Sequence, residues 1–243
     1  MLYLLSLGLS QKNISLEIKE IVKKADLVYL ENYTSVYDTS IEELEKIFGK
    51  KIIVANRELV ENSNEILENA KTKNVAFLVI GDVFAATTHG ALFLEAKKQN
   101  IPVKVIHSAS VFTAVGETGL SLYKFGKTIS IPFNYEQTEE PLKILENNLK
   151  NNMHTLVLLD LDPSKNKFLN AKEGLQYLLK VLFPECYAVV CCALGTEKQK
   201  IFYGKIEDLL KMNFDIYPQC IVIPAADLHF MEKEILELYK INL

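Results

Sequence analysis

Along this chain, short apolar runs rich in Val, Ile and Leu alternate with longer stretches in which apolar and charged positions recur at helical spacing. The runs predict strands at 2–7, 27–30, 52–54, 75–80 and 103–106, with helices at 14–24, 41–48, 64–73 and 91–98 between them. Because these runs are continuous rather than alternating, the strands should be buried on both faces, as in a parallel sheet with helices on either side. The pattern lapses at 110–126, a Gly- and Ser-containing connection, and a second series follows. It predicts strands at 128–131, 155–159, 187–192, 201–203 and 220–223, and helices at 142–150, 171–182, 206–212 and 231–239. The expected architecture is therefore α/β, with an N-terminal domain at 1–112 and a C-terminal domain at 113–243. No internal repeat or low-complexity segment interrupts it.

Composition narrows the setting. A chain of 243 residues, 49% apolar, can bury one large or two modest cores. The longest apolar runs, 75–80 and 155–159, are far too short to cross a bilayer, and 1–9 lacks the basic start and cleavage site of a signal peptide. A cytoplasmic protein without membrane contact is expected. The cysteines Cys186, Cys191, Cys192 and Cys220 show no C-x-x-C spacing and no neighbouring histidine pair, so reduced thiols and no metal are expected. A formal net charge of −4 argues against a nucleic-acid partner held through its phosphates. Lysine and arginine together number 27, and Arg57 is the one arginine, which suggests a place where a planar fork matters.

Ligands of open α/β sheets lie beyond the carboxyl ends of strands, so the polar residues there carry the interest. The first strand runs into Ser6-Leu7-Gly8-Leu9-Ser10, where one glycine permits close backbone approach without forming a dinucleotide fingerprint. The fourth runs into Gly81-Asp82 and then a segment ending Thr87-Thr88-His89-Gly90. The threonines suit a helix cap, and the same residues suit a binding loop; both readings stand. The fifth ends at His107-Ser108-Ala109-Ser110, where His107 reads as a satisfied strand-end histidine rather than a catalyst.

Several of these segments match one family together. Gly81-Asp82-Val83-Phe84-Ala85-Ala86-Thr87-Thr88-His89 resembles the G-D-P-x-V-A-T-T-H loop of the diphthine synthases. The run from His107 to Phe133 resembles that family's central signature, through Ser110-Val111, Ala114-Val115-Gly116, Thr118-Gly119-Leu120, Tyr123, Phe125-Gly126 and Ile131-Pro132-Phe133. Shorter matches, including Tyr33-Thr34-Ser35, Arg57-Glu58 and His154-Thr155-Leu156, extend the likeness over nearly the whole chain.

The resemblance implies a tetrapyrrole-methylase-like fold of two α/β/α domains, a parallel sheet in the first and a mixed sheet in the second, with S-adenosylmethionine in the cleft between them. It implies a homodimer. The implied reaction is methylation of the amino group of the 3-amino-3-carboxypropyl-histidine of translation elongation factor 2, a step of diphthamide biosynthesis, leaving S-adenosylhomocysteine. Position by position, the implied cofactor contacts are Leu9, Asp82, Ala85, Ser110, Val111, Leu159, Leu194 and Gln219, many through main-chain groups, with Asp82 suited to accept from cofactor donors. This chain departs from the pattern in four places: Val83 stands where the family has proline, Ser6 where it has glycine, Gln219 where histidine is usual, and Pro224-Ala225-Ala226-Asp227-Leu228-His229 where it has P-G-K-L-H.

Methyl transfer from a sulfonium is an in-line displacement that rests largely on positioning, but the acceptor amine must first be neutral. His89, His229 and Asp160 are candidate proton acceptors, each with an ordinary structural alternative: helix-start bonding, a plain imidazole and strand-end anchoring. Tyr33, Tyr123 and Phe133 are candidate aromatic faces for a cationic product, or simply core. Two rival functions remain, a methyltransferase acting on a porphyrin-like small molecule and a module that binds S-adenosylmethionine without turnover.

Overall fold

The structure, a computed structural model, describes residues 1–242, and the chain divides into two compact units between Phe112 and Thr113. In the first unit the order is β1 (Leu2–Ser6), α1 (Leu16–Lys24), β2 (Leu27–Glu31), α2 (Ile41–Phe48), β3 (Ile53–Ala55), α3 (Arg57–Glu61), α4 (Glu65–Thr72), β4 (Val75–Val79), α5 (Gly90–Lys98) and β5 (Val103–Ile106). All its strands are parallel, in the order β3-β2-β4-β1-β5.

Successive side chains of these strands feed two cores. Leu2, Leu4, Val75, Phe77 and Val79 pack with Ile66, Leu67, Leu92 and Ala96 of α4 and α5. Leu5, Leu7, Ala76 and Leu78 pack with Ile18, Val22, Leu44 and Phe48 of α1 and α2. This two-sided burial is why the strands read as unbroken apolar runs, and each fully buried Leu or Val contributes about 1.5–3 kcal/mol. The helices begin and end where local chemistry dictates. The Ser40 hydroxyl accepts from the Glu43 N–H at the start of α2, and Gly49 closes that helix at φ 64°.

From β1 the chain crosses to one side of the sheet, and from β4 to the other, which makes their carboxyl ends the topological switch point. There Gly8 and Gly81 exchange two main-chain hydrogen bonds, of 3.0 and 2.9 Å. Both are left-handed, at φ 74° and 80°. At Gly8 a Cβ would also lie 2.6 Å from the Asn13 Cβ, so no other residue fits without displacing its neighbour.

A short helix, α6 (Val111–Ala114), spans the division. The second unit then runs β6 (Ile129–Ile131), α7 (Glu140–Lys150), β7 (Thr155–Leu159), β8 (Leu161–Asp162), β9 (Lys167–Phe168), α8 (Ala171–Leu178), β10 (Tyr187–Cys192), β11 (Lys200–Lys205), α9 (Ile206–Leu209), β12 (Gln219–Ile223) and α10 (Phe230–Glu237). Its main sheet has the order β11-β10-β12-β7-β6 and is mixed: only β6 and β7 are parallel. One face packs Ile131, Val157, Leu159, Val190 and Ile221 against Leu142 and Leu145 of α7 and Leu175 and Leu178 of α8. Near α10, the Glu232 carboxylate accepts from the Ser121 and His229 N–H groups and meets His154 Nε2 at 3.0 Å.

The α/β class, with one parallel and one mixed sheet, is as the sequence predicts. The hairpin β8-β9, the helix α3 and the early ends of α8 and α9 are not. In α8 and α9 the last expected turn tightens to i→i+3 bonds, Val181 N to Leu178 O and Met212 N to Leu209 O, both 3.1 Å. Among the described residues no helix is long and apolar enough to cross a membrane.

Candidate active site

At the switch point the Asp82 carboxylate gathers four donors. Its Oδ1 accepts from the Phe84 N–H at 3.0 Å; its Oδ2 accepts from the Ser108 N–H at 3.1 Å, the Ser6 hydroxyl at 3.3 Å and His107 Nδ1 at 2.9 Å. Burial works against the charge, but the Phe84 and Ser108 N–H groups and His107 outweigh it and hold the carboxyl below its ordinary value. Most of its acceptor capacity is therefore engaged within the chain. What Asp82 can offer a cofactor is its negative charge and one remaining lone pair of Oδ1.

The two departures at Ser6 and Val83 explain one another. A proline at 83 has no N–H, but Val83 has one, and its residue is fully buried. The Ser6 hydroxyl, absent from a glycine, accepts that N–H at 3.0 Å and donates its own hydrogen bond to Asp82. The loop keeps its hydrogen bonds satisfied through a paired change.

Around this point lie the other expected contacts of the first unit: Leu9 after β1, Ala85 in the loop after β4, and buried Ser110 and half-buried Val111 after β5. In the second unit, Leu159 ends β7, Leu194 follows β10 and Gln219 opens the antiparallel β12, so the three gather at one end of that sheet. The Gln219 side chain is engaged, its Oε1 accepting from the Ala171 N–H at 2.8 Å and its Nε2 donating to the Phe214 and Ile216 carbonyls at 2.8 and 3.1 Å. One lone pair of Oε1 and the main chain are left to meet a ligand.

The rest of the set suits a group held by main-chain atoms. Gly81, Ala86, Ala193 and Gly195 are all left-handed, and they flank Asp82, Ala85 and Leu194. Alanine bears that conformation only at a cost, and such residues cluster where loops clamp ligands. The main-chain N–H and C=O of Leu9 and Leu194 have no partner among the described residues, although Leu194 is buried. In each unit, apolar side chains beside open main-chain groups suit a ligand held through its polar edges.

The three expected proton acceptors are each committed elsewhere. His89 is fully buried, its Nε2 3.4 Å from Glu31, which also accepts from the Tyr33 and Thr34 N–H groups. Asp160 anchors the ends of β6 and β7, accepting from the Phe133 N–H at 3.2 Å and the Leu161 N–H at 3.0 Å. His229 caps α10, accepting at Nδ1 from the Met231 N–H at 3.3 Å. Of the aromatic candidates, Tyr33 is buried with the Arg57 guanidinium 5.2 Å from its ring centre, Phe133 lies under the Lys167 ammonium at 4.0 Å, and Tyr123 is exposed. Arg57 opens α3 and reaches Glu61 only at 3.9 Å. His107, read from the sequence as a satisfied strand-end histidine, is bonded to Asp82 with its ring exposed. The sequence placed it at a strand end but held no sign of its partner.

Known proteins resemble the chain throughout. The profile of the family described as Tetrapyrrole (Corrin/Porphyrin) Methylases matches residues 1–210. A diphthine synthase of Methanocaldococcus jannaschii is 42% identical, with 98% of each chain covered. A diphthine methyl ester synthase of Schizosaccharomyces pombe is 36% identical, covering 100% of this chain and 95% of its own. A crystal structure of diphthine synthase superposes with a TM-score of 0.92 at 35% identity, over 99% of this chain and 96% of that one.

Proposed function

The chain belongs to the tetrapyrrole methylase family, among the diphthine synthases, and on that premise we propose that it methylates the amino group of the 3-amino-3-carboxypropyl-histidine of translation elongation factor 2, giving diphthine in diphthamide biosynthesis. It is an S-adenosylmethionine-dependent methyltransferase. The cofactor supplies an electrophilic methyl group on a sulfonium and is left as S-adenosylhomocysteine. The contacts this reading assigns to the cofactor are Leu9, Asp82, Ala85, Ser110, Val111, Leu159, Leu194 and Gln219, chiefly through main-chain groups. Asp82 places a carboxylate at the switch point, where a sulfonium's positive charge is favoured. These residues fix the reacting atoms, and positioning supplies much of the rate. A cytoplasmic homodimer, working without metal, nucleic acid or membrane, completes the reading.

The observation that carries it is the position of the Gly81–His89 loop, whose sequence resembles the family's, at the carboxyl end of β4 beside β1, where open α/β sheets bind their ligands. Incubation with S-adenosylmethionine and elongation factor 2 carrying the unmethylated histidine derivative should add methyl groups to that residue, read by mass spectrometry. A trimethylammonium product marks a diphthine synthase. A further, alkali-labile methyl group marks the ester, the second reading favoured by the Schizosaccharomyces pombe relative. Cofactor binding without any gain in mass would instead leave a non-catalytic module, and methylation of a porphyrin-type ring the small-molecule reading.

A further inference from the structure

Near neutral pH an alkyl amine is protonated and has no lone pair to attack with. A methyltransferase acting on nitrogen gains from a group that can take that proton, and such a group needs an available lone pair, a fixed orientation and access to both the acceptor and solvent. Histidine is the side chain best suited, and the chain has four. His89 is fully buried on Glu31. His154 is buried with both ring nitrogens engaged, Nε2 by Glu232 and Nδ1 by the Ala225 N–H. His229 accepts the Met231 N–H at Nδ1, so in its neutral form the outward Nε2 carries the hydrogen and offers no lone pair.

His107 is arranged the other way round. Its Nδ1 lies 2.9 Å from Asp82 Oδ2, with the imidazole side chain 66% exposed and the carboxylate side chain 12%. An ionised carboxylate can only accept, so Nδ1 must carry the hydrogen and the neutral ring presents a lone pair at Nε2. That nitrogen has no partner among the described residues. The orientation is fixed twice over, because the Ser108 N–H, next in the chain, binds the same Asp82 oxygen at 3.1 Å. The Phe84 ring flanks the imidazole with centres 6.1 Å apart. Asp82 is the only charged group within ion-pair distance of the ring among the described residues. A carboxylate holding an imidazole in one tautomer is the relation found in hydrolytic triads.

We propose that His107, oriented by Asp82, takes the proton from the acceptor's ammonium group before each methyl transfer. The inference rests on the reading of the chain as an amine methyltransferase. His107 Nε2 accepts the proton, and the N–H electron pair stays on the nitrogen as its lone pair. That pair forms the new N–C bond while the C–S bond breaks, its electrons passing to sulfur, which becomes a neutral thioether. The methylated nitrogen is again cationic, so another methylation requires another proton to leave. The exposure of His107 lets the imidazolium return its proton to solvent between transfers.

The test is His107→Asn in the full chain, since the Asn Nδ2 can still donate to Asp82 while offering no base. S-adenosylmethionine affinity and melting temperature should stay at wild-type values, while the methylation rate at neutral pH falls by about 10²- to 10⁴-fold. The deficit should shrink as pH rises toward the ordinary range of alkyl amines, and imidazole in the buffer should restore part of the rate. Independently of activity, long-range ¹⁵N NMR of the wild-type protein should show His107 with hydrogen on Nδ1 and a bare Nε2. A wild-type rate for the variant at neutral pH, a cofactor affinity that falls in step with the rate, or hydrogen on Nε2 in the neutral ring would each overturn the proposal. Failure of the wild-type protein itself to methylate the factor would overturn the underlying reading, and the proposal with it.

Discussion

Single residues in this molecule are best understood through the atoms they complete. Ser6 and Val83 each break the family pattern, yet together they keep a buried N–H satisfied. Ser6→Gly alone should therefore destabilise the protein by about 1–3 kcal/mol, the usual cost of orphaning a buried donor. Adding Val83→Pro removes that donor and should recover most of the loss, which a double-mutant cycle in chemical denaturation measures. Additive effects would show that the pair is uncoupled. Both departures were visible in the sequence, but their relation was not, because it depends on β1 and β4 being neighbours. Arg57 poses a related question. Its long contact to Glu61 leaves the guanidinium fork largely unused, so it remains suited to an acceptor carboxylate. Arg57→Lys should leave cofactor affinity and melting temperature unchanged while raising KM for elongation factor 2 or lowering kcat. Unaltered kinetics with either Lys or Ala would assign Arg57 to its loop alone.

Elements show where sequence reading succeeds and where it stops. The long strands and helices of the first unit were legible because two-sided burial leaves continuous apolar runs. The hairpin β8-β9 and helix α3 were not, being too short to establish a period. The Asp82–His107 pair was illegible for a different reason. Its members follow β4 and β5, and those strands lie on opposite sides of β1, so the contact is a product of strand order rather than spacing. A second long-range pair holds α10 in place. Burial lowers the tendency of His154 to take a proton, which keeps it neutral. For Glu232 burial works against the charge, but the Ser121 and His229 N–H groups and His154 hold its carboxyl at about 2, below its ordinary value of 4.5. Both groups bind protons more readily unfolded than folded, so stability should decline as pH falls below 6.5, and further between 4.5 and about 2. Glu232→Gln should flatten the lower part of this dependence and cost on the order of 2 kcal/mol at neutral pH. The chain has no tryptophan, so circular dichroism is the suitable monitor. An unchanged acid limb would remove Glu232 from the account.

At the scale of the whole molecule, the division between Phe112 and Thr113 separates two units with hydrophobic cores of their own. A fragment of residues 1–112 should fold, judged by its circular dichroism. A spectrum without helical and strand signal would instead tie the first unit's stability to the rest of the chain. The strand order also bears on how the protein is made. The first strand to be synthesised, β1, ends up between β4 and β5, the last two of its sheet. During translation β1 must therefore wait, unpaired on both edges, until residues 75–106 have left the ribosome. Nothing from the second unit is needed to complete that sheet, so the first unit can close on the nascent chain while the second is still being translated.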